Sequence, residues 1–276
     1  MRACFLILGI CVGATACLSP AQIRPARTLE PGEHEVGIAL SGANVRTSKV
    51  TWYTGTSTNG EMPANSKTAI NGGPELGYHY GIVDNVEAGV RLGGGAALVE
   101  ADATYRLLRT SLGGGVLHVA TGTIVGMSLA EAVGGGRALL AVRATWDLND
   151  HWGVTAALHT GYRWVDGGVL DPHAGADTLL ADKRSDGMRW FMGKSGLLWG
   201  GGLSGDWHDD DWICRVFAEF DAWPGEIGVT TKPLAPYSVH VVQAGFSIGY
   251  KFGKDAAALR KAHDDLDALT KPKEAP

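Results

Sequence analysis

Residues 152–164 have the sequence WGVTAALHTGYRW, which alternates between two kinds of side chain. The even-numbered positions are apolar or aromatic apart from Thr160, whereas the odd-numbered positions are small or polar and include His159 and Arg163. Successive side chains of a β-strand point to opposite faces of a sheet. A period of two therefore predicts a strand with one apolar face and one polar face.

The same alternation recurs along most of the chain after His34. It predicts about ten antiparallel strands, at 34–44, 75–82, 86–92, 97–107, 114–128, 137–148, 152–164, 188–204, 212–222 and 242–252. The strand at 188–204 does not keep a constant phase. We interpret this as a β-bulge at Gly193 or Gly196 that exchanges the two faces.

The connections between these strands alternate in length. Short breaks follow the even-numbered strands, at 83–85, 109–113, 149–151 and 205–211. The longest breaks follow odd-numbered strands, at 45–72, 165–187 and 223–236, although the short break 93–95 also follows an odd-numbered strand. Short turns at one end and long loops at the other are typical of an up-and-down β-barrel. The sequence thus predicts an all-β, antiparallel up-and-down barrel of about ten strands over residues 34–252.

The composition of the two faces indicates where water lies. The polar face is rich in Gly, Ala and Ser mixed with charges of both signs, which suits a narrow lumen better than an open solvated surface. Aromatic residues cluster near strand ends, as in interfacial girdles of membrane barrels, at Trp146, Trp152, Trp164, Trp212, Tyr250 and Phe252. We therefore predict a transmembrane barrel. The alternative is a soluble barrel with these aromatic residues in its core.

Charged residues occur at many positions of the inward phase. A ten-strand barrel is narrow, and buried charges must pair or stay hydrated. We expect a ladder of ion pairs with trapped water and no wide channel, formed by Glu87, Arg91, Glu100, Asp102, Arg106, Arg137, Arg143, Asp147, Arg163, Arg215, Glu219, Asp221 and Lys251.

The last predicted strand contains a motif of its own. Residues 243–250 are QAGFSIGY, and Phe252 follows as a further aromatic residue. This pattern resembles the assembly signal of bacterial outer-membrane β-barrel proteins, carried here by Gln243, Gly245, Ile248, Tyr250 and Phe252. The resemblance implies insertion by the barrel-assembly machinery, contact with outer-membrane lipid and lipopolysaccharide, and two periplasmic termini. One departure is that the chain continues to residue 276.

The N-terminus has the features of an export signal. Residues 1–16 combine Arg2 with an apolar stretch, and the small residues before Cys17 resemble a lipobox. The resemblance implies lipidation of Cys17, followed by a periplasmic linker over 17–33 that contains three prolines. The alternative is cleavage by ordinary signal peptidase, with Cys17 as the unmodified mature N-terminus. Because Leu18 and not Asp follows Cys17, the resemblance favours the outer membrane.

The sequence does not predict a catalytic centre, a metal site or a cofactor. His79, His118 and His159 occupy the inward phase, and each is expected to pair with a lumen carboxylate. The acidic stretch 206–211 does not match a calcium loop and is interpreted as a solvated turn. A net charge of −5 argues against a nucleic-acid partner.

Three hypotheses follow for function. The first is a non-enzymatic outer-membrane barrel with a structural, interaction or small-solute role. The second is a barrel hydrolase with a site at the outer rim, using His159 and the loop 165–187. The third is a soluble, lipocalin-like lipoprotein, which requires an apolar inward face.

The chain after the barrel has a different period. In residues 253–276, helical spacing of apolar residues predicts a short helix, marked by Leu259, Ala262, Leu266 and Leu269. We interpret it as a solvated periplasmic helix. The alternative is docking to a periplasmic partner or against the mouth of the barrel.

Overall fold

The computed structural model describes residues 24–48, 50–54, 58–62, 65–70, 74–93, 98–128, 135–165, 195–209, 211–227 and 235–253. Among these residues, none belongs to a helix long and apolar enough to cross a membrane. The predicted signal, Cys17 and the predicted C-terminal helix lie outside the described residues.

The described chain forms thirteen β-strands. They are β1 (His34–Thr47), β2 (Val50–Thr54), β3 (Thr58–Met62), β4 (Asn65–Ile70), β5 (Glu75–Val83), β6 (Val86–Gly93), β7 (Leu98–Leu112), β8 (Gly115–Ser128), β9 (Gly135–Asp147), β10 (Trp152–Val165), β11 (Gly196–His208), β12 (Trp212–Ile227) and β13 (Ala235–Phe252).

Ten strand positions close into one antiparallel barrel. Neighbouring strands from β5 to β13 pair in sequence order, and β13 closes the barrel on β1 along the full length of β1. The other edge of β1 pairs first with β5 and then with β4, so β4 and β5 share one strand position. The β2–β3 hairpin is a separate two-stranded sheet. The predicted fold class, a closed antiparallel barrel of ten strands, is confirmed.

The two faces follow the alternation of the sequence. On β10, the outward Leu158 is 72% exposed, whereas the inward neighbours Ala157 and His159 are each 6% exposed. Large apolar side chains cover the outside of the other barrel strands as well. The apolar face is thus the outer face, and the polar face lines the lumen.

Several strands are longer than the sequence predicts. β7 continues to Leu112 and β11 to His208, so the predicted breaks at 109–113 and 205–211 are largely wrong. Polar residues such as Asp206 suggest a turn, but here they occupy the inward phase of a continuing strand. The register shifts occur at Gly81/Val83 and Arg106/Leu108. The described part of β11 has no bulge, including at Gly196, while Gly193 lies outside the described residues.

One end of the barrel carries four short turns, which we call the short-turn end. The turns lie between β5 and β6, β7 and β8, β9 and β10, and β11 and β12. Asn85 adopts a positive φ of 67° in the first of them, a conformation that Asn tolerates better than most residues. In the last, backbone N–H groups of Trp212 and Asp211 donate to Asp209, which lowers the pKa of that carboxyl.

Candidate functional site in the barrel lumen

The lumen is filled with charged side chains. Ten of the residues placed on the inward phase by the sequence are buried there, namely Glu87, Arg91, Glu100, Asp102, Arg137, Arg143, Arg163, Arg215, Glu219 and Asp221. Arg106, Asp147 and Lys251 are half-buried near the short-turn end. Arg106 donates from Nε to the side-chain oxygen of Asn85 at 2.9 Å.

A chain of ion pairs joins β6, β7 and β9. Arg91 lies 3.1 Å from Glu100 and 3.7 Å from Asp102. Arg137 reaches the same Glu100 carboxylate at 2.5 Å. Glu100 therefore bridges two guanidinium groups in the buried interior, where charge-assisted hydrogen bonds are stronger than at a surface.

Each inward histidine on the barrel wall contacts an aspartate, as the sequence predicts. The Nε2–carboxylate distances are 3.1 Å for His79–Asp102, 3.1 Å for His118–Asp147 and 2.5 Å for His159–Asp221. His159 lies buried within β10, and Asp221 lies on β12, so this pair belongs to the lumen wall. The rim loop of the hydrolase hypothesis lies almost entirely outside the described residues.

Other inward charged groups make hydrogen bonds to uncharged side chains or cation–π contacts. Gln243 donates to Glu219 at 2.5 Å, and Arg143 donates to the Thr104 hydroxyl at 2.7 Å. The Arg163 guanidinium lies 4.5 Å from the centre of the Trp223 ring. Buried apolar residues fill the lumen towards the end opposite the short turns, namely Ile124, Leu139, Leu198, Trp223, Val239 and Val241.

The chain before β1 enters the mouth of the barrel at the short-turn end. We call residues 24–33 the N-terminal plug. Ala26 is completely buried, and its backbone N–H donates to the Thr145 hydroxyl on β9 at 2.6 Å. The Gly32 N–H donates to the Gly81 carbonyl oxygen on β5 at 2.8 Å, and the Gly81 N–H donates to the Glu33 carbonyl oxygen at 2.9 Å. This part of the segment interpreted as a linker, 17–33, therefore packs inside the barrel, whereas the linker role itself stays a prediction.

Arg24 is the innermost cation of the plug and contacts three wall residues. Its guanidinium makes two hydrogen bonds of 3.1 Å to Glu35, one of 3.3 Å to Glu87, and one of 2.9 Å with His79 Nδ1. Burial opposes its charge, but the carboxylates of Glu35, Glu87 and Asp102 outweigh this cost and raise the pKa of Arg24.

Arg27 joins the plug to the opposite wall. Its guanidinium is ion-paired with Asp147 on β9 and Asp206 on β11, and it also contacts the His208 ring at 3.1 Å. Asp206 is completely buried, so the solvated acidic turn predicted for 206–211 is wrong at this residue. The aspartate belongs to a buried ion-pair network because the plug supplies its cation.

The assembly-signal residues predicted from the sequence all lie on β13, which pairs with β1 at the seam of the barrel. Gln243 and Gly245 point inward, whereas Ile248, Tyr250 and Phe252 are exposed on the outer face. Their use as a signal stays a prediction. Among the described residues, no group of three acidic, histidine or cysteine side chains is arranged to hold a metal ion.

A closed antiparallel barrel with an apolar exterior and a charged interior has the architecture of transmembrane β-barrels. Aromatic side chains line the exterior near the short-turn end, where the rings of Trp212 and Tyr250 lie 4.9 Å apart and His34 stacks on Phe252. This arrangement contradicts the lipocalin-like hypothesis, because that fold needs an apolar interior.

Comparisons with known proteins find likeness at the level of fold. No family model matches the sequence, and no curated protein matches it. Among solved structures, the outer membrane protease OmpT from Escherichia coli has a TM-score of 0.41 at 9% identity, over 82% of this chain and 100% of that chain. OprG from Pseudomonas aeruginosa has a TM-score of 0.33 at 10% identity, over 83% and 99%.

An outer membrane channel from Pseudomonas putida F1 has a TM-score of 0.37 at 12% identity, over 85% of this chain and 100% of that chain. Because the sequence identities and the TM-scores are low, the likeness carries no argument about the activity of this chain.

Proposed function

We propose that this chain is a non-enzymatic outer-membrane β-barrel that is closed at rest and has a structural or interaction role. The observation that carries the proposal is the filling of the lumen. Charged wall residues, apolar residues at one end and the N-terminal plug at the other occupy the described interior. A barrel filled in this way anchors and presents its loops without forming an open water-filled path.

The proposed location is the bacterial outer membrane, with the short-turn end in the periplasm. Short periplasmic turns and longer outer loops are the rule for such barrels. The plug leads back from His34 towards Cys17, whose lipidation would attach the chain to the inner leaflet beside the same mouth. Both the orientation and the lipid anchor belong to the proposal.

A second candidate, passage of a small solute, is favoured by one property of the plug. The plug is not part of the sheet. It contacts the wall through the ion pairs of Arg24 and Arg27 with carboxylates and through a few hydrogen bonds of its backbone. A closure of this kind can leave the lumen without breaking strand pairing. Passage also requires movement of the buried side chains beyond the plug.

Conductance measurements test both candidates. The purified full chain in planar lipid bilayers should show no steady conductance, and a stable open channel would contradict the closed-barrel proposal. The double variant R24Q/R27Q removes both plug cations. R46Q is the control, since Arg46 is exposed and donates to Asn44 two residues away on the same strand. A closed R24Q/R27Q barrel supports the structural role, and a conducting one supports solute passage.

A further inference from the structure

The wall residues around Arg24 have the arrangement of a guanidinium receptor. Glu35 engages the two terminal nitrogens in a bidentate pair, and Glu87 accepts from the third nitrogen. His79 Nδ1 adds a fourth contact at 2.9 Å. Every guanidinium nitrogen thus has a partner on strands β1, β5 or β6, and we call Glu35, Glu87 and His79 the guanidinium site.

The wall itself holds the guanidinium site in place. Glu35, Glu87 and His79 are 5%, 0% and 3% exposed, respectively. His79 is fixed through its second nitrogen by Asp102 at 3.1 Å. Gly89 gives the ring its space, because a Cβ at that position would overlap the imidazole. These supports of His79 come from strands and not from the plug. Glu35 and Glu87 also belong to strands, although Glu87 loses one plug donor, the Leu29 backbone N–H, when the plug leaves. The three wall side chains are therefore expected to remain at the mouth when Arg24 leaves.

The site also has space beside it. A cavity of about 260 Å³ borders Arg24 and Arg27 at the short-turn mouth, next to His208 and Lys251. This volume is close to the lower range of small-molecule sites, roughly 300 Å³. A second cavity of about 40 Å³ lies between Arg24, Arg91 and the backbone of Gly37 and Gly77. It is large enough for ordered water.

Charge makes withdrawal of the plug dependent on a replacement cation. The plug brings two guanidinium groups to Glu35, Glu87, Asp147 and Asp206. Removing one partner of a buried pair is strongly unfavourable because the other charge stays buried and uncompensated. A planar guanidinium matches a bidentate carboxylate in a way that a compact ammonium does not.

We propose that Glu35, Glu87 and His79 form a binding site for guanidinium-bearing solutes, with Arg24 as its intramolecular occupant. A guanidinium compound from the short-turn side binds when the plug withdraws and stabilises the withdrawn state. A ligand present at about ten times its dissociation constant shifts such an equilibrium about tenfold.

The first test is chemical rescue of R24A, which empties the site and leaves the wall intact. The melting temperature of the purified barrel in detergent should fall in R24A. Low-millimolar guanidinium or ethylguanidinium should restore much of this loss, whereas sodium chloride at equal ionic strength should not. R46A is the matched control and should show neither the loss nor the rescue. Adding E35Q to R24A should abolish rescue.

The second test uses the wild-type chain and does not depend on folding of a variant. Agmatine should accelerate hydrogen exchange in the peptide spanning 24–33, whereas butylamine at the same concentration should not. Rescue that is equal for guanidinium and sodium ions would overturn the proposal. If R24A cannot be folded, wild-type exchange that is insensitive to agmatine would overturn it.

Discussion

Glu87 connects the plug to the wall, and its replacement by glutamine gives a quantitative test. The side chain is completely buried in β6. One carboxylate oxygen accepts from Arg24 Nε at 3.3 Å, and the other accepts from the Leu29 backbone N–H at 3.0 Å. E87Q keeps the shape of the residue and removes its charge and one of its two acceptors.

The expected cost follows from these two bonds. A hydrogen bond to a charged group contributes about 1.5–3 kcal/mol, and a neutral one about 1 kcal/mol. The two bonds to the carboxylate together contribute about 3–6 kcal/mol, and glutamine retains one neutral bond of about 1 kcal/mol, so we expect E87Q to weaken plug docking by at least about 2 kcal/mol. This corresponds to an increase of at least about 30-fold in the population of the withdrawn plug.

Hydrogen exchange of residues 24–33, measured by mass spectrometry on the barrel in lipid vesicles, reports this population. E30Q is the matched control, because Glu30 lies in the same segment but is exposed. We expect faster exchange in E87Q and wild-type exchange in E30Q. Equal exchange in E87Q and the wild type would refute the assignment of Glu87 as an anchor of the plug.

Three further predictions concern the wall. L158R places a charge on the outer face and should lower the free energy of unfolding in phospholipid vesicles by about 2–4 kcal/mol. The control L158M should be as stable as the wild type. An L158R barrel as stable as the wild type would argue against lipid contact at this face. G81A places a Cβ against the carbonyl oxygen of Glu30 and should speed hydrogen exchange of the plug. G205A is the control, because the atom nearest to its added Cβ, Val216 Cγ2, lies 4.0 Å away. Unchanged exchange in G81A would contradict the packing of the plug against β5. R137M removes one of the two guanidinium partners of Glu100 and should cost about 1.5–3 kcal/mol in urea unfolding. R143M should cost less than half of that, because among the described residues Arg143 donates to the Thr104 hydroxyl, at 2.7 Å, and to no carboxylate. The opposite order would contradict the assigned pairing.

The barrel wall was predictable from local pattern. Period-two alternation at 152–164 places Leu158 outside and His159 inside, because the pleat of a strand fixes the direction of each side chain. Strand ends were predicted less well. Polar residues such as Asp206 resemble turn residues in sequence, but an inward phase in a charged lumen accommodates them within a strand.

The plug could not be predicted from hydropathy. Residues 24–33 have prolines and few apolar residues, which ordinarily indicates an exposed connection. Their burial is driven by ion pairs that depend on the closed barrel, which brings Glu35, Glu87, Asp147 and Asp206 around one mouth. The sequence did contain one indication. Arg24 and Arg27 lie just before β1, and several carboxylates occur on the inward phase near the barrel end at which β1 begins, where they require cations as partners.

The central claim is that the Leu158 face meets hydrocarbon while the His159 face lines a filled lumen. Spin labels placed singly along 152–164, in a chain without its native cysteines, test it in lipid vesicles. Accessibility of each label is measured to oxygen, which concentrates in lipid, and to a water-soluble nickel reagent. The account predicts high oxygen accessibility at even positions and low accessibility to both reagents at buried odd positions, so that oxygen accessibility varies with a period of two. High accessibility of a water-soluble nickel reagent at even positions, with that of oxygen low, would contradict it.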